Sequence, residues 1–145
     1  MKRILVFVLS LMILTLSSTS VFARGKVSIE LNGQPFVSDT EPFIENNRTY
    51  VPVRAIFEAV GASVTWDEEN KTAIIARMNG TQFKHVALQV GNDYVFINSE
   101  KVAVDAPAFI ENNRTYVPLA VIMRALGEEV VWDGATSTVK ITSDK

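Results

Sequence analysis

Two Trp-Asp pairs, Trp66-Asp67 and Trp132-Asp133, are the residues of this chain whose types and spacing best suit ligand chemistry. An exposed indole can stack on a sugar ring, and a neighbouring carboxylate can accept hydrogen bonds from its hydroxyls. The structural interpretation is favoured: each Trp ends a strand with its ring covering a helix, and each Asp begins a turn. Trp66 and Trp132 are nevertheless retained as candidate partner-binding residues.

Metal chemistry has weaker support in the sequence. The acidic stretch 67–70 concentrates oxygen ligands, but its spacing is not that of an EF-hand loop, and a solvated hairpin tip accounts for it. The chain has one histidine, His85, and no cysteine, so a His/Cys site for zinc or copper cannot be assembled. We therefore predict no metal and no cofactor.

Catalytic constellations are equally sparse. A nucleophilic triad would have to be built around His85, which is predicted to be an exposed strand residue. Glu45 and Glu111 could form a carboxylate pair, but both fall in predicted turns rather than in an evident cleft. No catalytic residue is predicted, and the chain is not expected to be an enzyme.

One charged pair differs between two otherwise similar parts of the chain. Arg54 and Glu58 are spaced i, i+4 on a predicted helix, where they can form an ion pair. Ala120 and Arg124 stand at the matching positions 66 residues later. Arg54 and Glu58 join Trp66 and Trp132 as candidate contact residues, because the first helix presents a charge that the second lacks.

These candidates are positioned by a repeated framework. The sequence FIENNRTYVP occurs at 43–52 and again at 109–118, and other identities keep the same 66-residue offset, including Gly61 with Gly127. The sequence therefore predicts one duplicated supersecondary unit, with repeats at about 27–77 and 93–143.

Each repeat is predicted to contain the same elements. Asn32-Gly33 marks a hairpin turn, Pro52 stands where a helix begins, and Gly61 stands where it ends. Ser99 replaces Gly33 in the second repeat, where the turn should be less ideal. With one extra strand at 83–90, the pattern predicts about ten short strands and two short helices, an α+β fold with mostly antiparallel pairing.

The start of the chain is typical of an export signal. Lys2 and Arg3 precede the apolar run 4–16, and the small residues that follow predict cleavage after Ala23. The run is too short for a stable membrane span, although an uncleaved anchor is the alternative. Residues 24–145 are then a single domain, either secreted or held non-covalently at the cell envelope.

Composition narrows the partners further. The chain has 14 basic and 16 acidic residues, and loss of the leader with its two basic residues makes it more acidic, which argues against nucleic acid as a partner. The absence of cysteine means that this exported domain must be held together by packing rather than by disulfides.

With these motifs in place, the chain resembles the copper amine oxidase N-terminal-like domain, or stalk domain, of secreted and surface proteins of Gram-positive bacteria. The resemblance rests on Leu31-Asn32-Gly33, the Asn-Arg-Thr-Tyr-Val-Pro segments, the helix ends at Gly61 and Gly127 and the Val-x-Trp-Asp endings, and covers about 26–142. Family members usually carry Gly at Asn47 and Asn113 and Arg at Ala120. The resemblance implies a non-catalytic domain, because the enzyme's copper and its modified tyrosine lie in a separate catalytic domain.

The sequence thus predicts an exported, non-catalytic binding or structural module that contacts cell-wall glycan or another surface protein. The alternative is a small extracellular hydrolase or enzyme inhibitor with an unrecognised site. A third interpretation is a structural homo-oligomer in which chains exchange repeats, since each helix joins strands on both sides.

Overall fold

The computed structural model describes residues 24–144, so the predicted leader and its cleavage after Ala23 lie outside the described residues. Within this range the chain forms fourteen strands, more than the ten expected, because several are only two to four residues long. The strands are β1 (Gly25–Lys26), β2 (Ser28–Leu31), β3 (Gln34–Phe36), β4 (Phe43–Glu45), β5 (Arg48–Pro52), β6 (Ser63–Asp67), β7 (Thr72–Asn79), β8 (Gln82–Gln89), β9 (Tyr94–Ile97), β10 (Glu100–Ala103), β11 (Phe109–Glu111), β12 (Arg114–Pro118), β13 (Glu129–Asp133) and β14 (Thr138–Thr142). The helices are α1 (Val53–Ala59) and α2 (Leu119–Ala125).

The strands form three sheets. The central sheet has the order β1-β4-β5-β12-β11, the β8 sheet has the order β10-β9-β8-β7-β6, and the β14 sheet has the order β13-β14-β2-β3. Every pairing is antiparallel except that of β14 with β2, which is parallel. The predicted α+β class with mostly antiparallel strands is confirmed.

The central sheet is built around its two five-residue strands. β5 pairs with β12 so that Val51 lies opposite Val117, and Tyr50 and Pro52 lie opposite Pro118 and Tyr116. Val51 and Val117 point into the main core. Tyr50 and Tyr116 point to the other face of the sheet, into an aromatic cluster.

Each of the two repeats is called a half below. The first hairpin of each half adds to a sheet that contains strands of the other half. The β2-β3 hairpin adds to β14, whereas the β9-β10 hairpin adds to β8. β8 is the predicted extra strand, and it separates β9 from β7. The hairpins therefore tie distant parts of the chain together, which a local chain of repeats would not do.

Each helix starts and stops as the sequence predicts, with one adjustment. Pro52 and Pro118 are the extended residues that precede the helices, rather than residues of the first helical turn. After α1 the chain turns at Gly61, whose φ of 81° suits glycine, and the Ala62 N–H donates to the Phe57 carbonyl at 3.0 Å. After α2 the Glu128 N–H donates to Met123 in the same way.

The main core lies where the helices meet the sheets. Ile56, Phe57, Ile122 and Met123 are fully buried, and they pack with Val117 and the other core residues. Each helix contacts the strand that follows it and the central strand β5, and in addition α1 contacts β12 and α2 contacts β8. In the region from 24 to 144, no helix is long and apolar enough to cross a membrane.

Candidate binding groove

A groove of about 1030 Å³ lies beside α2. It is formed by β4 with the turn before β5, the end of β10 with the loop after it, helix α2, and strands β13 and β14. Its lining is largely aliphatic. The lining residues are Ile44, Asn47, Arg48, Thr49, Ala103, Val104, Asp105, Ala106, Pro118, Leu119, Ala120, Val121, Arg124, Val130, Trp132 and Val139.

An ion pair fixes one wall of the groove. Arg48 donates from Nε to Asp105 Oδ1 at 2.9 Å, and its second guanidinium nitrogen contacts the other carboxylate oxygen. This bidentate pairing lowers the pKa of Asp105. Arg114 and Asp39, which lie 66 residues from Arg48 and Asp105 respectively, form the equivalent pair at 3.1 Å.

Trp132 forms part of the groove rather than covering a helix. Its side chain is half exposed, at 50%, so the expectation that both Trp rings cover a helix is wrong for this residue. Trp66 is partly buried against the main core, as expected, and its indole N–H donates to Glu68. Trp132 thus offers an aromatic face in an open groove that Trp66 does not offer.

The residue at the start of each helix explains why the groove is open beside α2. On α1, Arg54 donates to the carbonyl of Val64 at 3.0 Å and pairs with Glu58 at 3.3 Å, as the i, i+4 spacing predicts. Ala120 occupies the position of Arg54 on α2 and leaves that space empty. The crevice beside α1, lined by residues that include Ser38, Pro52 and Ala55, is too narrow to admit water.

Arg124 provides a second difference between the helices. It replaces Glu58 and approaches the carbonyl of Val130, which matches Val64, at 3.4 Å. Within residues 24–144 it has no carboxylate partner closer than 4.0 Å, in contrast to Arg48. The groove therefore combines an exposed indole, an aliphatic floor and a guanidinium that is not neutralised by a neighbour.

The groove has few groups that could perform acid–base catalysis. Asp105 is the single carboxylate among its lining residues, and Arg48 holds it in the ionised form. A hydrolase would need two groups with separated pKa values or an activated nucleophile. The geometry suits binding better than chemistry.

The other polar candidates have structural surroundings. The side-chain amide of Asn70 donates to Asp67, and this bond, together with those from the backbone N–H groups of Asn70 and Glu69, lowers the pKa of Asp67. No cluster of three or more His, Cys, Asp or Glu in the described part of the chain is placed to hold a metal. His85 is half-buried rather than exposed, because it stacks on Phe83 with ring centroids 5.5 Å apart.

Sequence reasoning missed a buried ion pair. Arg77 and Glu128 are in contact and are 6% and 5% exposed, and Arg77 also donates to Ser143 Oγ at 3.3 Å. Their counterparts 66 residues away are Ser143 and Ala62. The replacement of Ala62 by Glu128 was a visible difference between the halves, but its partner could not be identified without the contact between β7 and the end of α2.

Comparison with known proteins decides the family. The family model described as the copper amine oxidase N-terminal domain matches residues 30–141. The chain belongs to this family. This copper amine oxidase N-terminal domain carries Ala120, one of the residues that line the groove, at the position where the family resemblance led us to expect Arg.

A curated relative gives a second point of comparison. A protein of Brevibacillus choshinensis named "Protease inhibitor" is 31% identical over 152 residues, which cover 99% of this chain and 45% of the relative. The chain thus spans less than half the length of that relative.

Proposed function

We propose that this domain is a non-catalytic binding module of the bacterial cell envelope, made of two copies of one unit. Its contact surface is the groove beside α2, and its ligand is a wall glycan that carries carboxylate groups. The observation that carries the proposal is the opening of this groove at Ala120, next to an exposed Trp132 and an unneutralised Arg124.

Equivalent contacts on both sides of the central sheet support the duplication. The bounds of β4, β5, α1 and β6 recur in β11, β12, α2 and β13 at the 66-residue offset. Val51 and Val117, which are equivalent residues, lie opposite each other, as expected at a pseudo-two-fold axis. The Arg48–Asp105 and Arg114–Asp39 pairs each join one half to the other, and they are related in the same way.

The chemistry of the groove supports a charged glycan. A sugar ring presents C–H groups that pack on the face of an indole, and Trp132 exposes such a face. Arg124 can then form a charge-assisted hydrogen bond with a carboxylate on the ligand. Asn47 and Thr49 supply further polar groups at the opposite wall for ligand hydroxyls.

The envelope location rests on the predicted export signal at 1–23. Retention after cleavage would be non-covalent, by means of the groove itself. Binding to the wall and location at the wall are therefore parts of one proposal.

The test uses purified cell walls and soluble fragments of their glycan. The purified protein should be retained on the walls, and Trp132→Ala and Ala120→Arg should each weaken binding of the fragments by about tenfold or more in titration calorimetry. Ala120→Arg restores the residue found at the start of α1, so it should fill the groove without disturbing the fold. Arg54→Ala, on α1, is the matched control and should leave binding unchanged.

Two results would contradict the proposal. The first is an absence of retention on cell walls by the unmodified protein. The second is unchanged affinity in Ala120→Arg, which would move the contact away from the groove.

The name of the Brevibacillus relative favours a second candidate, an inhibitor of proteases. An inhibitor also needs an exposed binding surface and no catalytic groups, and the loop after β10 at the edge of the groove would be its contact. Assays against serine, cysteine and metalloproteases decide between the two. Inhibition by the unmodified protein that Ala120→Arg abolishes, without retention on walls, would favour the inhibitor.

A further inference from the structure

The outer face of the β8 sheet is unusually apolar for a surface. Eight large hydrophobic side chains are exposed in the described residues, and four of them, Ile74, Met78, Phe83 and Phe96, lie on this face with exposures of 39, 58, 60 and 41%. Strand alternation places them opposite to core residues such as Ile75. Ala76, Ala87 and the half-buried ring of His85, which stacks on Phe83, lie between them.

Strand register makes the patch contiguous across three strands. Met78 lies opposite Phe83 on β8, and Ile74 lies opposite Ala87, which in turn lies opposite Phe96 on β9. Phe96 also meets Tyr94 edge to face, with centroids 5.7 Å apart. The patch therefore spans the middle of the sheet rather than one exposed edge.

The β14 sheet shows that the fold does not need this apolar surface. Lys140 and Thr142 stand at the positions that match Ile74 and Ala76, and Glu30 stands at the position that matches Phe96. Lys140 and Glu30 are register partners on β14 and β2. One sheet thus presents a charged outer face and the other an apolar one, and β8, which contributes Phe83, has no counterpart in the β14 sheet.

We propose that the outer face of the β8 sheet is a self-association surface, on which a second copy of this chain packs face to face. At about 200 Å² for each fully exposed side chain, the four large residues expose about 400 Å² of apolar surface. A stable interface buries about 800 Å² per partner, of which somewhat more than half is apolar. The patch has the size required of the apolar centre of such an interface.

The charges on this face favour a second copy as the occupant. The centre contains no Lys, Arg, Asp or Glu, so two copies can meet there without apposing like charges. Lys101 lies on the β10 edge and Asp67 lies on the β6 edge, and neither forms an ion pair within residues 24–144. β8 is the middle strand between these two edges.

A two-fold axis parallel to β8 brings these features together. It superposes the β10 edge of one copy on the β6 edge of the other. Lys101 of one copy then lies above Thr65 of the other copy and within reach of Asp67, two residues further along β6. The same rotation places Phe96 above Ile74 of the second copy, and Ala87 near its own equivalent. Sheets packed in this way lie about 10 Å apart.

Sedimentation equilibrium of the purified protein tests the surface. We expect a dimer at tens of micromolar, and the double variant Ile74→Lys, Phe96→Lys, which sets like charges opposite each other across the interface, should be monomeric, with a dissociation constant raised at least about 100-fold. Lysine is the residue found at the position of the β14 sheet that matches Ile74, so the fold should tolerate charge on this face, which a thermal unfolding midpoint within a few degrees of the parent would verify. Val131→Lys, an exposed position on the β14 sheet, is the control and should leave the dimer unchanged.

Cross-linking tests the axis. The chain has no cysteine, so Ala87→Cys introduces a single thiol, which a short bis-maleimide should link to its equivalent in the second copy. Lys101→Cys alone should not cross-link, whereas a mixture of Lys101→Cys and Thr65→Cys should. A monomer at all concentrations, or a dimer that survives the double variant, would overturn the proposal. Self-linking of Lys101→Cys in preference to Ala87→Cys would overturn the axis.

Discussion

The surfaces beside α1 and α2 are made from nearly the same residues, yet one is closed and the other is open. Beside α1, Arg54 reaches the Val64 carbonyl and Glu58. Beside α2, Ala120 leaves a groove of about 1030 Å³. The two helices differ in Arg54 and Glu58 against Ala120 and Arg124, whereas the bounds of the helices and of the strands that flank them are the same on both sides.

The comparison separates two kinds of residue. Positions that recur at the 66-residue offset, such as Val51 with Val117 and Gly61 with Gly127, form the core, the sheet register and the helix ends. Positions that differ provide the groove, the buried Arg77–Glu128 pair and the apolar face of the β8 sheet. We therefore expect functional residues at positions where the sequences of the two halves differ.

The largest effect should come from the buried Arg77–Glu128 pair, which joins the two halves and whose equivalent positions, Ser143 and Ala62, carry small residues. Glu128→Ala should destabilise the protein by roughly 3–5 kcal/mol, because it leaves the guanidinium of Arg77 buried without its partner. Urea unfolding measures this free energy.

The matched control is the double variant Arg77→Ser, Glu128→Ala, which installs the residues found at the equivalent positions, Ser143 and Ala62. It should be less destabilised than Glu128→Ala alone, since no unpaired charge remains buried. If the double variant loses as much free energy of unfolding as Arg77→Ser and Glu128→Ala lose together, the pair contributes through packing rather than charge.

A smaller effect is expected at the hairpin turns. Ser99 has a φ of 70° where its counterpart Gly33 has 79°, and only glycine adopts this region without cost. Ser99→Gly should raise the free energy of unfolding by about 0.5 kcal/mol, and Gly33→Ser should lower it by a similar amount. Equal urea midpoints for the parent, Ser99→Gly and Gly33→Ser would contradict the expected cost of serine at these two turns.

The smallest effect should be a change in acid sensitivity. Because Arg48 lowers the pKa of Asp105 below its ordinary value of 3.8, the pair contributes stability above about pH 4 and loses it as the pH falls through the lower folded-state pKa. Arg48→Gln should have a lower melting temperature than the parent at pH 6. The melting temperatures of the two proteins should converge as the pH is lowered towards 3.

Arg114→Gln, which breaks the equivalent pair with Asp39, is the comparison for this experiment. Salt at 1 M should reduce both differences at pH 6, since both pairs are exposed. A melting temperature of Arg48→Gln that stays below the parent by the same amount at pH 3 would assign the effect to lost packing.

The sequence predicted much of the local structure, and the reason is visible in particular residues. Asn46 and Asn47 adopt positive φ at a turn, Gly61 ends α1, and Asp67 caps the turn after β6, all as their side chains dictate. The extra strand β8 and the Arg54–Glu58 pair were likewise predicted. The exposure of Trp132 and the partial burial of His85 were not predicted, because each depends on which other elements pack against the strand that carries the residue.

The sequence by itself determined the order of strands and helices, the matching of the halves and the family, since these depend on local conformational preferences and repeated motifs. The tertiary structure alone decided that β2-β3 joins β14, that Arg77 meets Glu128, and that the space beside Ala120 is open. Pairing between distant strands has no local signature, because the main-chain hydrogen bonds of a strand do not specify its partner. The candidate groove follows from that pairing, which brings the loop after β10 and the turn at Asn47 against α2.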